Sequence, residues 1–88
     1  MSQILYDDGF FDDLTRDASS KMEERIFHAI DLLPAVPVLG STNLPASIAQ
    51  IYGDHVRKLP VGPFDVIYEI LDDGDFLVLG IIHQRAAR

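Results

Sequence analysis

The residues of this chain best equipped for chemistry are three histidines, an Arg-Lys pair and a basic C-terminal end. His28, His55 and His83 are widely scattered and too short of neighbouring histidine, cysteine or acid at ligand spacing to build a full ligand set. That pattern supports no zinc or iron site, so no metal is expected. The run Asp72-Asp73-Gly74-Asp75 lacks the spaced ligands and terminal glutamate of a calcium loop, and a hairpin turn accounts for it. No glycine-rich phosphate loop, nucleophile elbow or dinucleotide fingerprint occurs, and no cofactor is expected. What remains is the group Arg57, Lys58, Asp65, His83, Gln84, Arg85 and Arg88. It combines positive charge with one imidazole, a side chain suited to acid or base work. The plainer reading is that Arg57 and Lys58 blunt an edge strand while Arg85 and Arg88 solubilise a frayed tail.

These residues need a scaffold, and the chain supplies one through a change of hydrophobic period. Gln3 to Tyr6 reads as a first strand, closed by Asp7-Asp8-Gly9. Phe10, Phe11, Leu14 and Ala18 then recur at helical spacing, with acids at the helix start. Ser20-x-x-Glu23 has the form of a capping box, and Met22, Ile26, Ala29, Ile30 and Leu33 trace one face of a second helix that Pro34 stops. Residues 34–55 carry prolines, glycines and no lysine or arginine, the composition of a connector. Within it, Ile48, Ile51 and Tyr52 form an expected helical turn after Pro45, ended by Gly53.

From Val56 the period becomes two. Three runs are separated by Gly62-Pro63 and Asp72-Asp73-Gly74, which predicts an antiparallel meander. Strand alternation sets Lys58 opposite Ile67 and Gly80, and Arg57 opposite Tyr68 and Leu79. Leu59, Val61, Phe64, Val66, Tyr68, Ile70, Leu77, Leu79 and Ile81 then share an apolar face. Met22, Ile26, Ile30 and Leu33 are expected to pack against Val66, Tyr68, Leu79 and Ile81. The mixed face, with Val56, Lys58, Asp65, Ile67, Glu69, Val78 and Ile82, is the expected working surface, where Asp65 and Glu69 oppose Lys58.

Eighty-eight residues suit one core, so residues 1–88 are read as a single α+β domain. With 48% hydrophobic residues the chain can offset the entropy of folding. It has no cysteine, no leader-like segment after Met1 and no apolar run long enough to span a bilayer, so a cytoplasmic location and no membrane partner are expected. The net charge of −7 disfavours nonspecific binding to phosphate backbones. The charge is uneven: residues 1–31 hold eight acids against three bases.

The run VRKLPVGPFDVIYEILDDGDFLVLGIIHQRA resembles the C-terminal half of the RelE/ParE superfamily of type II toxin–antitoxin toxins. The likeness lies in Arg57-Lys58-Leu59, in Phe64 to Tyr68, in the acidic turn at 72–74, in the apolar strand from Phe76 to Ile82, and in His83-Gln84-Arg85. It implies a β-α-α-β-β-β layout, in which an N-terminal strand and helical hairpin pack on a C-terminal antiparallel sheet. It also implies a growth-inhibiting toxin neutralised by a cognate antitoxin. RelE-like members cut messenger RNA on the ribosome, whereas ParE-like members act on DNA gyrase. For a ribonuclease, the resemblance makes Lys58, Arg85 and His83 the catalytic set. For target or partner binding it points to Arg57, Lys58, Asp65, Gln84 and Arg88. Two departures speak against the nuclease: Asp65 stands where ribonuclease members carry an arginine, and Val56 replaces a lysine. The chain also ends at Arg88, before the catalytic tyrosine of those members. Gyrase is therefore the expected target, with ribosome-bound RNA as the alternative. A third alternative is an inactive member that only binds a partner.

Overall fold

The computed structural model describes residues 2–85, so Arg88 lies outside the described residues. The chain runs β1 (Ile4–Tyr6), α1 (Asp8–Asp17), α2 (Ser20–Asp31), α3 (Ala46–Tyr52), β2 (Arg57–Val61), β3 (Phe64–Ile70) and β4 (Phe76–His83). The fold is α+β, as expected. The meander forms, and β1 adds to it in parallel beside β4, giving a four-stranded sheet of order β1-β4-β3-β2.

Local chemistry explains where the helices begin and stop. The Asp7 carboxylate accepts from the Gly9 N–H at 2.9 Å and starts α1, which buries Phe10 and Leu14. For α2 the cap is Ser19 rather than Ser20: its hydroxyl accepts from the Met22 N–H at 3.2 Å. Two adjacent serines offer the same side chain in two registers, and the one held in extended backbone takes the cap. Ser20 is then the first helical residue, and the expected Ser20–Glu23 box does not form. The turn after Pro45 becomes a full helix, α3, ended by Gly53 at φ 89°. Only Ile48 of α3 is buried, while Ile51, expected to pack, is 68% exposed.

The sheet is covered on both sides. One face packs under α1 and α2, where Phe10, Ile26, Ile30 and Leu33 meet Val66, Tyr68, Val78 and Ile81. Met22 joins from the margin of that core. The other face holds a smaller cluster of Ile48, Val56 and Ile67, joined by Leu44, Tyr52, Leu79 and Ile82. Burial of one such side chain is worth about 1.5–3 kcal/mol, so α3, with a single buried anchor, is held much less firmly than α2.

One expected register fails. Ile67 faces Gly80 as predicted, but Tyr68 faces Val78, leaving Leu79 without a partner on β3. This β-bulge inserts one residue into β4 and reverses the facing of everything on its N-terminal side. Phe76 and Val78 thereby enter the main core, whereas Leu79 moves to the α3 side. The Asp13 carboxylate of α1 accepts from the Ile81 N–H at 3.2 Å, and a side chain at Gly80 would press on the Tyr52 hydroxyl of α3.

The connector is fixed by Tyr68. Its hydroxyl donates to the Pro37 carbonyl at 3.0 Å and accepts from the Gly40 N–H at 2.9 Å. Ser41 then makes a two-bond antiparallel bridge with Lys58 on the outer side of β2.

Candidate functional site

The candidate residues do not converge. Arg57 and Lys58 lie on β2, and their side chains leave opposite faces of the sheet. The Arg57 guanidinium reaches back over Tyr68 and donates to the Gly40 carbonyl at 2.9 Å, so it buttresses the connector. Burial pushes the Tyr68 hydroxyl above its ordinary range, with the Gly40 N–H and the Arg57 charge partly opposing. Lys58 lies half-buried on the face of Ile67. As expected, Asp65 and Glu69 flank Ile67, the residue opposite Lys58, and share its face, although among the described residues Lys58 forms no ion pair. Glu69 instead meets His55, with Oε2 3.1 Å from Nε2.

Asp65 cannot offer its carboxylate freely to a partner, because it is only 3% exposed. Gln84 covers it, its amide donating to the Phe64 carbonyl at 3.2 Å and to Asp65 Oδ1 at 3.4 Å. A buried carboxylate needs such a donor to offset lost hydration. Gln84 and Asp65 thus form a structural pair at the end of β4.

His83 lies on the helix side of the sheet. It pairs with Phe64 across the β3–β4 ladder, and the two rings meet edge to face at 5.4 Å. Its Nδ1 accepts from the Arg85 N–H at 3.2 Å, so in the neutral ring the proton sits on Nε2. Beside it is a groove of about 420 Å³ between the end of α1 and the end of β4, lined by Arg16, Asp17, Phe64, Ile81, Ile82 and His83. Arg16 does not make this groove strongly positive. It is held by Asp13 at 2.8 Å and Asp17 at 3.3 Å, and Asp17 first, then Asp13, raises its pKa.

Lys58 and His83 are therefore on opposite faces. Lys58 stands level with Ile67 and Gly80, while His83 stands level with Phe64, three residues along and two strands away. With a rise of about 3.4 Å per residue and a strand spacing of about 4.8 Å, their Cα atoms are roughly 14 Å apart.

A second groove, of about 470 Å³, was not foreseen from the sequence. It runs between α2 and the β2–β3 turn and is lined by Glu24, Arg25, His28, Ala29, Pro60 and Val61, with Gly62 at its end. Arg25, His28 and Ala29 share a helix face at spacings of three and four, a signal available in the sequence. Nothing in the sequence places β2 beside them.

The family model for the ParE toxin of type II toxin–antitoxin systems, parDE, matches residues 6–88. The chain belongs to the ParE toxin family. Among solved structures, a RelB–RelE antitoxin–toxin complex from Methanococcus jannaschii has a chain of similar fold. The TM-score is 0.62 and the identity 18%, over 93% of this chain and 92% of that one. At that identity the likeness concerns the fold alone, which is the fold the C-terminal motifs imply. A search of curated proteins finds no match. The family's β-α-α-β-β-β layout is present with one addition, α3 within the connector.

Proposed function

We propose that this single-domain toxin works in the cytoplasm by binding DNA gyrase rather than by cutting RNA, and that a cognate antitoxin protein neutralises it. The observation that supports this target is the separation of Lys58 and His83. Cleavage of RNA through its own 2′-hydroxyl needs a base, an acid and positive charge gathered around one phosphate, each within about 3 Å of the atom it serves. A lysine and a histidine on opposite faces, roughly 14 Å apart, cannot share that phosphate. Electrostatics agree, since a net charge of −7 opposes approach to a phosphate-walled site within the screening length. The antitoxin is inferred from family membership and from the antitoxin–toxin complex whose toxin shares this fold.

Two assays test the reading. The purified protein is expected to inhibit supercoiling by gyrase, and His83→Ala should retain that inhibition. Primer extension on translated messages after induction should show no new cleavage. Codon-positioned cleavage abolished by Lys58→Ala or Arg85→Ala would reject the gyrase reading and restore the ribonuclease. Harmless expression without the neighbouring gene would identify a member that only binds its partner.

A further inference from the structure

α3 and the residues on either side of it form a strap across the face of the sheet that α2 leaves uncovered. Before α3 the chain is fastened by the two-bond bridge between Ser41 and Lys58. After it the fastening is His55, whose Nε2 stands 3.1 Å from Glu69 Oε2 and whose ring would be pressed by a side chain at Gly53. Between the two, Ile48 is buried with Val56 and Ile67, and Leu44, Tyr52, Leu79 and Ile82 close the cluster.

The middle of the strap is weakly held. Residues 32–53 carry no charged side chain, so no ion pair ties α3 down. Seven residues are too few to make a helix stable on its own. Pro45 supplies no side-chain cap at its start, and Gly53 at φ 89° ends it in a conformation that glycine adopts freely. The Ser47 hydroxyl oxygen is buried without a hydrogen-bond partner among the described residues, a loss that water makes good once the helix lifts.

The surface beneath is firm by contrast. β2, β3 and β4 are joined by their own ladders and backed by the core under α2, so Val56, Ile67, Leu79 and Ile82 keep their places when α3 leaves them. They form an apolar strip with Lys58 and Glu69 beside it, on the same face as Ile67. α3 itself shows what fits there: one branched apolar side chain, Ile48, with the Tyr52 ring next to it.

We propose that the strap is a displaceable cover: α3 swings off the sheet as a unit between the Ser41 and His55 fastenings, and the target protein docks an apolar side chain in the place of Ile48. Lys58 and Glu69 then stand at the rim of that contact, where charge selects the partner's orientation. That the target is gyrase rests on the proposed function; the opening of the cover does not.

The chain has no cysteine, so a single introduced thiol reports exposure without interference. Ile67→Cys lies beneath the strap and Val66→Cys on the α2 side of the same strand, and each is reacted with iodoacetamide in the full chain. Ile67→Cys should react at least about tenfold faster than its own global unfolding allows, at a rate that low urea leaves unchanged. Val66→Cys should react only as urea unfolds the whole chain. In the unsubstituted protein the Ala49 and Gly53 amides should exchange through one common, urea-insensitive opening, a measurement that holds if either variant fails to fold. Equal, urea-dependent protection at both cysteines, or α3 amides that open only together with the sheet, overturns the cover. Gyrase in excess should slow the labelling of Ile67→Cys about tenfold. Supercoiling inhibited while that labelling is unchanged sinks the docking site and leaves the gyrase reading standing. Absence of inhibition by the unsubstituted protein refutes gyrase as the occupant, and the labelling and exchange rates then decide the cover by themselves.

Discussion

Replacing Tyr68 by phenylalanine removes one oxygen and tests how the connector between α2 and β2 is held. The ring is fully buried and would remain so, packed with Phe76, so the perturbation is confined to the hydroxyl. Two bonds are lost, one to the Pro37 carbonyl and one from the Gly40 N–H. Gly40 is itself buried, and a side chain there would clash with the Tyr68 ring, so there is little room for water to replace the oxygen. A net hydrogen bond contributes about 1 kcal/mol and an orphaned buried N–H costs about 1–3 kcal/mol, so Tyr68→Phe should cost about 2–4 kcal/mol. For a chain of this length that corresponds to a fall in Tm of roughly 10–25 °C. Urea denaturation should show a lower midpoint with an unchanged slope, and the Gly40 amide should exchange faster than its strand neighbours. Arg57→Ala acts on the same segment through the Gly40 carbonyl, so a double-mutant cycle should give a coupling of about 0.5 kcal/mol or more. A loss under about 0.5 kcal/mol, with no change in Gly40 exchange, would refute the pinning of the connector by this hydroxyl.

Gly80→Ala should destabilise by about 1–3 kcal/mol, because the new methyl group would press on the Tyr52 hydroxyl and stand 2.8 Å from Asp13 Oδ2. Thermal melts should show partial recovery in Gly80→Ala/Tyr52→Phe, and equal loss with and without Tyr52→Phe would dismiss the clash. Ser19→Ala should cost about 1 kcal/mol and Ser20→Ala close to nothing, and chemical denaturation that reversed this order would move the α2 cap. Burial raises the pKa of Tyr6, Tyr52 and Tyr68 above the ordinary 10.0. The folded state therefore keeps these protons after the unfolded chain has lost them. Stability is independent of these groups below pH 10 and falls as pH rises from there through the folded values. Ultraviolet titration should show delayed tyrosinate formation, and a urea midpoint flat across that range would contradict it.

Much of the fold is legible in the residues themselves. Turn chemistry at Gly62-Pro63 and Asp72 to Gly74, with the period-two runs between them, delimits β2, β3 and β4 within a residue or two. Helical spacing in Ile26, Ile30 and Leu33 identifies the face of α2 that is buried. The C-terminal motifs and the resemblance they carry identify the family. These features are local, because each depends on residues a few positions apart.

What tertiary structure alone decided is which residues share a face and which groups are occupied. One unpaired residue, Leu79, exchanges the positions of Val78 and Leu79 between two cores, and Gly80 beside it is the one local mark that β4 carries. The bulge is stabilised by Asp13 and accommodated by Gly80 beneath Tyr52, with Asp13 and Tyr52 supplied by two helices far apart in the chain. The same holds for the candidate site. Lys58 and His83 are of the right types for RNA cleavage, but strand pairing sends them to opposite faces. Asp65 reads as a surface charge until Gln84, close in space only through the β3–β4 ladder, closes over it. Side-chain facing in a sheet has a period of two and depends on long-range register, so a single-residue shift reverses it without altering the local signals from which a strand is read.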